Sequence, residues 1–249
     1  MRIATWNVNG IRAREAQFQT WLKESKPEVV CLQEIKAGPL QIPPLLCEME
    51  GYWCYWHGSG GYSGVGLHIS KEFSPERPDF SHPLFDYETR IVEGKVRDTT
   101  YISVYVPNGG KDFEAKMRFL HSLNDYVREK TLQNEKIILC GDMNVALTDQ
   151  DVHPKERKPK AVGQLPEERE LVQSILNNGV VDVLRKLHPD DDQMFTWWAP
   201  WRNMRQRNIG WRLDYVLASP SVAEKIPECI VLREVGTSDH APVVALVIE

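Results

Sequence analysis

The chain predicts an α/β sandwich of four layers: two packed mixed β-sheets flanked by helices. Three observations carry that expectation. Strand-like runs alternate with amphipathic helical stretches from end to end. Several runs, V-V-C-L at 29–32 and I-I-L-C at 137–140 among them, are apolar at consecutive positions, the pattern of strands buried on both faces. The runs number roughly ten, and two packed sheets covered by helices accommodate them.

Composition sets the outer bounds. With 249 residues, 42% hydrophobic and 26% charged, the chain can bury a sizeable core, and wholesale disorder is excluded. No apolar run approaches a bilayer span, and Met1–Gly10 has no signal-peptide segment, so cytoplasmic residence is expected. The five cysteines are odd in number and lack C-x-x-C spacing, which argues against a disulfide framework or a zinc site. A net charge of −5 argues against indiscriminate binding to a polyanion. Charge is unevenly placed, however: Trp201–Arg212 carries Arg202, Arg205, Arg207 and Arg212 without an acid, and Lys155–Lys160 is mainly basic, so global acidity can coexist with a local phosphate-binding rim.

Taken in order, Arg2–Asn9 alternates as a strand and ends at Gly10. Ala13–Lys26 places Phe18, Trp21 and Leu22 at helical spacing before the stop at Pro27. Glu28–Glu34 is a second strand whose apolar run ends abruptly in Gln33 and Glu34. Pro39–Met49 reads as a short helix. Tyr52–His57 and Val65–Ser70 read as a hairpin around the glycine-rich Gly58–Gly66, which lacks the lysine and helix of a phosphate loop. Arg90–Val96 and Thr100–Val106 flank a turn at Asp98, and the second strand is ended by Pro107. Phe113–Lys130 is a strong amphipathic helix. Lys136–Cys140 is a buried strand stopped by Gly141. Pro154–Pro166 is a surface loop, and Pro166–Asn177 a helix with Glu167, Glu168 and Glu170 in its first turn, where the dipole favours acids. Half of the eight tryptophans (Trp197, Trp198, Trp201, Trp211) crowd one basic stretch, and Leu213–Ala218 and Val243–Ile248 are the last strands. No internal repeat or linker is legible, so residues 1–249 are expected to form one domain.

The polar residues at strand ends are Asn7 and Asn9, Glu34, Tyr105 and Asn108, Asp142 and Asn144, Asp214, and Asp239 with His240. Asp142 and Asn144, two apart on extended backbone, share a face; taken alone they are also ordinary turn formers. In open sheets ligands bind beyond strand ends, where such groups converge. Carboxylates with amides, one imidazole and no thiol suit a hard cation, Mg²⁺ above all with Mn²⁺ as a substitute. A hard cation held by few protein ligands draws phosphate oxygens into its shell, and phosphate-ester hydrolysis is the chemistry that follows.

Seven motifs then occur together: W-N-V-N-G at 6–10, L-Q-E at 32–34, G-Y-S-G-V-G at 61–66, Y-V-P-N at 105–108, G-D-M-N at 141–144, G-W-R-L-D-Y at 210–215 and S-D-H-A-P at 238–242. In this order, across essentially the whole chain, they resemble the exonuclease III family of apurinic/apyrimidinic endonucleases. The resemblance implies a Mg²⁺-dependent enzyme that cuts double-stranded DNA 5′ to abasic sites, with 3′→5′ exonuclease and 3′-end-cleaning activity. It implies a nucleoid-associated protein in a prokaryote, and nothing in it demands an oligomer, so a monomer is expected.

By the same resemblance Glu34 is the principal metal ligand with Asn7 beside it, and Asp142, Asn144, Asp239 and His240 face the ion or a second, shifted one. Asp142 is the general base or water anchor and Asn144 aligns it. His240, held by Asp214, donates to the scissile phosphate, while Tyr105 and Asn108 point at its oxygens. Asn9 stands where some relatives carry aspartate; direct ligation and action through water both stay open. Asn9, Arg12, Tyr62, Asn108, Lys111, Lys116, Trp201, Arg205 and Trp211 are the expected DNA contacts, with Trp211 and either Trp198 or Trp201 walling the pocket for the baseless sugar. The remaining histidines, His57 and His82 included, have no partner pattern and read as structural or surface residues. Two other readings remain: a phosphatase or sphingomyelinase of the wider superfamily, and a catalytically silent binder of damaged DNA.

Overall fold

In the computed structural model, which describes residues 1–248, alternation of strands and helices resolves into two six-stranded sheets. The strands are β1 (Arg2–Asn7), β2 (Val29–Gln33), β3 (Tyr52–His57), β4 (Val65–Ser70), β5 (Phe80–Ser81), β6 (Ile91–Val96), β7 (Thr99–Tyr105), β8 (Lys136–Asp142), β9 (Val181–Asp182), β10 (Asp214–Ala218), β11 (Glu228–Val231) and β12 (Val243–Leu246). The helices are α1 (Ile11–Ser25), α2 (Pro44–Cys47), α3 (Phe113–Leu132), α4 (Pro166–Asn177), α5 (Val183–Leu187) and α6 (Pro220–Ala223). The first sheet runs β11-β12-β1-β2-β4-β3 and the second β5-β6-β7-β8-β10-β9.

Each sheet is built around one parallel pair, β1 with β2 and β7 with β8, joined by a crossover through α1 or α3; the flanking pairs are antiparallel. Both sheets therefore follow one plan, although no repeat shows in the sequence. Backbone pairing constrains direction and spacing and leaves side-chain identity free.

The layers are set by which face each apolar residue takes. Ile3, Cys31, Leu67, Val92, Ile138, Cys140 and Val216 meet between the sheets. The intervening Ala4, Trp6, Val30 and Leu32 pack outward against Ile11, Phe18 and Trp21 of α1 and Leu46 of α2. Ile102, Val104, Ile137 and Leu139 pack outward against Phe119, Leu120 and Leu123 of α3 and Val172 and Ile175 of α4. Four layers result, as expected. Continuous apolar runs are explained by the same fact: central strands touch a sheet on one side and a helix on the other. Burying each of these large side chains contributes about 1.5–3 kcal/mol. Cys31 and Cys140 are buried free thiols within the core.

Several boundaries differ from expectation. Helix α1 begins two residues earlier than the expected Ala13, and α3 continues to Leu132. The single helix expected over Pro39–Met49 is a 3-10 turn, Pro39–Gln41, followed by α2, because Pro43 and Pro44 supply no N–H to carry one helix through. Strands β5, β9 and β11 were not expected: two are two residues long, and β11, at a sheet edge, has only Cys229 fully buried. Among the described residues no helix is long and apolar enough to cross a membrane.

Gly141 marks the tightest backbone approach. A Cβ there would stand 1.8 Å from the carbonyl oxygen of Val104 on β7. Glycine at the end of β8 is what lets the parallel pair close next to Asp142. The Gly141→Ala variant is expected to lose about 1–3 kcal/mol or more by forced backbone displacement. A urea titration reads this directly, and an unchanged midpoint would mean that β7 and β8 do not approach in this register.

Candidate active site

Strand register assembles the pocket. Asp142 ends β8; its antiparallel neighbour on β10 is Asp214 and its parallel neighbour on β7 is Tyr105. Registered neighbours share a face with their Cβ atoms about 4.5–5.5 Å apart, so three functional side chains form a row. From the other sheet, Asn7 at the end of β1 donates through Nδ2 to Asp142 Oδ2 at 2.9 Å, closing the gap between the sheets.

His240 enters from the loop before β12. Its Nδ1 lies 2.8 Å from Asp214 Oδ2, and its Nε2 lies 3.8 Å from Asp142 Oδ2. The loop is held by Ser238, whose hydroxyl donates to the Asn7 carbonyl and accepts the His240 N–H. Trp197 bridges in β fashion to both Trp211 and His240, and Thr196 Oγ1 accepts the N–H groups of Leu213 and Asp214.

Burial and mutual charge tune the three groups. Asp142 is buried, which pushes its carboxyl up to about 7; the His240 charge opposes this and Asp214 reinforces it. Burial works against a charged His240, but Asp214 and Asp142 outweigh it and raise the imidazole to about 10. One proton is therefore held on His240 between two carboxylates. Tyr105 is driven upward by burial and then by the carboxylates of Glu34 and Asp142, which keeps its phenol protonated.

Asp142, Asp214 and His240 offer ligand atoms all within 4.8 Å of one another, and Asp214 Oδ1 is buried with no hydrogen-bond partner. An oxygen-rich set with an unsatisfied carboxylate oxygen fits a hard divalent cation. Glu34 stands outside that tight group. Its carboxylate pairs with Lys36 Nζ at 2.8 Å. Lys36 also donates to Asn9 Oδ1, Asn9 Nδ2 donates to Asp239 Oδ1, and Trp197 Nε1 donates to Asp239 Oδ2. A polar chain thus runs from Glu34 to Trp197 along the pocket rim. Burial opposes ionisation of Asp239, but the His240 charge and the Asn9 and Trp197 hydrogen bonds hold its carboxyl below the usual range. Asn9 bridges Lys36 and Asp239 through its side chain.

Asn144 is oriented on every side. Its backbone N–H and Nδ2 donate to Asp142, Nδ2 also donates to the Val106 carbonyl, and Oδ1 accepts from Asn108 Nδ2. With its amide so engaged, Asn144 is held against Asp142. Arg12, Asn108 and Lys111 are exposed at the surface, as are Tyr62 and Trp201 at 61% and 59%.

Four expectations about contacts are corrected, three by burial and one, Arg205, by side-chain bonding. Lys116 is fully buried: it ion-pairs with Glu168 and donates to the carbonyls of Asn144 and Asn108, so it cannot reach a phosphate. Its spacing with Phe119, Leu120 and Leu123 on the apolar face of α3 is the signal that could have shown this. Arg205 spends its guanidinium on the carbonyls of Arg233, Val235 and Ser238, pinning the loop before Asp239. Arg212, counted in the basic rim, is buried against Asp151 and Asp182. Trp198 is 1% exposed beneath Arg205 and belongs to the core. Trp211 is half-buried, edge-on to Trp197 at 5.7 Å and pressed against Gly163, where a Cβ would come within 3.0 Å of the ring.

Lys36, Trp197, Thr196 and Arg90 were missed. Arg90 lies over the rings of Tyr62 and Tyr105 and donates to the Tyr62 hydroxyl. No local pattern distinguishes such residues, since each also engages a partner distant in sequence: Lys36 reaches Asn9, Trp197 reaches Asp239, Thr196 reaches Leu213 and Arg90 reaches Tyr62. A surface cleft of about 570 Å³ beside β11, lined by Met194, Phe195 and Val231 among others, holds none of the groups above.

A buried carboxylate–imidazole–carboxylate array at the strand ends of two packed sheets, with donors around it, defines a hydrolase of phosphate esters. A model of the endonuclease/exonuclease/phosphatase family matches residues 4–240, and the chain belongs to that family, within its exonuclease III group. It is 34% identical over 253 residues to the exodeoxyribonuclease of Bacillus subtilis, covering 98% of each chain. Among solved structures it is similar to a 3′ phosphatase, NExo, from Neisseria bound to a product DNA hairpin, with a TM-score of 0.90, 31% identity and 100% of each chain covered. It is also similar to an AP endonuclease from Archaeoglobus fulgidus, with a TM-score of 0.89, 32% identity and 99% of each covered.

Breaking the Lys116–Glu168 pair at one end should cost about 3–5 kcal/mol, because it strands a buried charge. Lys116→Met and Glu168→Gln are each expected to lower the denaturation midpoint sharply, and Lys116→Met with Glu168→Leu to recover much of the loss. Two mild single variants would place Lys116 in solvent.

Proposed function

We propose that the protein is a Mg²⁺-dependent DNA-repair nuclease that hydrolyses the phosphodiester 5′ to abasic sites in double-stranded DNA. In this reading it also has 3′→5′ exonuclease and 3′-phosphodiesterase activity, and residues 1–249 act as one monomeric catalytic domain in the cytoplasm. The observation that carries the reading is the facing of Asp142 and His240, 3.8 Å apart, with Asp214 bonded behind the imidazole. The buried free cysteines are consistent with a reducing compartment.

The chemistry follows from charge. A phosphodiester is anionic and repels a nucleophile, so donors must meet its oxygens. Glu34, Asn7, Asp142 and Asp214 are the residues that would hold Mg²⁺ or Mn²⁺, with Asp239 facing a second or shifted ion. When bound, the cation supplies positive charge to the phosphate oxygens. Asp142, as carboxylate, takes a proton from water as its oxygen bonds to phosphorus, and Asn144 and Asn7 fix the carboxylate's direction. His240, kept as imidazolium by Asp214, donates to a non-bridging oxygen, joined by the protonated Tyr105 phenol and the Asn108 amide. The bond from phosphorus to the 3′-oxygen breaks, and the departing oxygen takes a proton from solvent water, leaving a 3′-hydroxyl on one side and a 5′-phosphate on the other. Asn9 acts through Asp239 and Lys36. Arg12, Tyr62, Asn108, Lys111 and Trp201 lie at the surface where a duplex is to be gripped, and Trp211 walls the sugar pocket.

A gel assay on abasic, recessed-3′-end and 3′-phosphate duplexes tests the reading, run beside inositol phosphates and sphingomyelin. Nicking of the abasic duplex that chelator abolishes and Mg²⁺ restores is the expected result. Tight binding without product would replace it with the silent-binder reading, and turnover of the lipid or inositol substrates alone with the phosphatase reading. Asp142→Asn should lose about 10²–10⁴-fold in rate, the range for a positioned general base.

The pH profile has a definite sign. Cleavage should fall on the acid side as Asp142 takes up a proton near pH 7, a limb that bound cation charge moves lower, and on the alkaline side as His240 loses its proton near pH 10. Asp214→Asn removes the largest charge holding that proton, so the alkaline limb should move to lower pH; an unmoved limb would unseat His240 as the donor. Trp211→Ala should reduce cleavage at abasic sites far more than it lowers the melting temperature. A lower melting temperature with equal activity would make Trp211 a packing residue.

A further inference from the structure

Away from the pocket, the edge strands of the two sheets meet along a seam of stacked rings. Tyr55 of β3 stacks on Phe80 of β5, with centroids 5.1 Å apart and an interplanar angle of 14°. One step further along both chains, His57 stacks on His82, at 4.3 Å and 13°. Asp86, in the turn that follows, places Oδ2 2.6 Å from His57 Nε2, and its side chain is 0% exposed. Its other oxygen accepts the Arg90 N–H. These three residues offer ligand atoms all within 4.8 Å of one another, the second such group among the described residues.

We propose that His57, His82 and Asp86 form a second metal site, selective for a borderline cation of the Zn²⁺ type. Two imidazoles and one carboxylate are a Zn²⁺ donor set, three protein ligands with a fourth position for water, whereas Mg²⁺ prefers oxygen alone. The carboxylate is buried, and burying a charge is costly unless it is compensated. The Arg90 guanidinium is no counter-ion for it, being occupied by Glu88, the Tyr62 hydroxyl and the Tyr105 carbonyl. A metal held between Asp86 and the two imidazoles would supply that compensation. Tetrahedral bonds of about 2.0–2.1 Å put ligand atoms about 3.3 Å apart, so His57 and Asp86, 2.6 Å apart, must open by roughly 0.7 Å while His82 draws in by at most about 1.5 Å. His82 is the exposed member, on a loop, and supplies that movement by turning its ring.

The site also has a consequence in the fold. A metal there ties β3 of the first sheet to the loop after β5 of the second. Through Asp86 it fixes the start of β6 at Arg90, which in turn packs on Tyr62 and Tyr105. It is a staple at the rim of the nuclease pocket, made of none of that pocket's residues, and it stands whether or not the substrate reading is right.

Co²⁺ reports coordination by its visible absorption, and Zn²⁺ competes for the same ligands. Titration of chelator-stripped protein carrying Glu34→Gln and Asp142→Asn, which silence the nuclease pocket, should show one four-coordinate Co²⁺ per chain, displaced by Zn²⁺. Adding His82→Ala should weaken Co²⁺ binding by at least 10–100-fold, the loss that removal of a metal's supporting residues typically brings. His57→Gln serves as the second variant, with melting in chelator confirming that both remain folded. Zn²⁺ should raise the melting temperature of the parent and leave that of His82→Ala unmoved, and Mg²⁺-supported nicking by the single His82→Ala variant should match wild type. Co²⁺ spectra unchanged by His82→Ala and His57→Gln, or no binding once the nuclease pocket is silenced, would overturn the site.

Discussion

The pocket depends on one pairing: Asp142 opposite Asp214 on neighbouring antiparallel strands. Two buried carboxylates side by side repel, and the array is tolerable only because His240 is inserted between them and carries a proton. The loop before β12 must therefore deliver His240 to within a few tenths of an ångström. Ser238, Thr196 and Arg205 are the residues that hold it there, each through backbone groups rather than through the imidazole itself.

That loop in turn rests on the packing of the two sheets. Asn7 and Asp142 come from different sheets, and their hydrogen bond forms only when the interior layer is filled to the right depth by Ile3, Cys31, Ile138, Cys140 and their neighbours. Apolar packing sets a distance that polar chemistry then uses. Beneath Asn144 and Asn108 the same logic is carried by a charge: Lys116, paired with Glu168, holds the backbone carbonyls of both asparagines. A lysine that reads as a phosphate ligand is a strut under the residues that orient the base.

Much of this was legible in the chain. Consecutive apolar residues at 29–32 and 137–140 required strands covered on both faces, and hence helices outside two sheets. The abrupt change from apolar to polar at Asn7, Glu34, Tyr105 and Asp142 marked the strand ends where a pocket had to lie. Asp214 and His240 were legible as strand-end polar residues, and the order of the motifs gave them their roles. The short edge strands β5, β9 and β11 were not legible, because two or four residues at a sheet edge carry too little periodicity and owe their form to the neighbour they pair with.

What the sequence alone determined is the layer architecture and the inventory of reactive groups, since hydrophobic periodicity and residue chemistry are local properties of the chain. What only the tertiary structure decided is which polar groups are solvated. Lys116 and Arg212 read as basic surface and prove to be internal, Arg205 spends its guanidinium on backbone carbonyls, and His57 and His82, read as partnerless, prove to be neighbours of each other and of Asp86. Solvation and proximity depend on residues far apart in the chain, and those distances exist only once both sheets have packed.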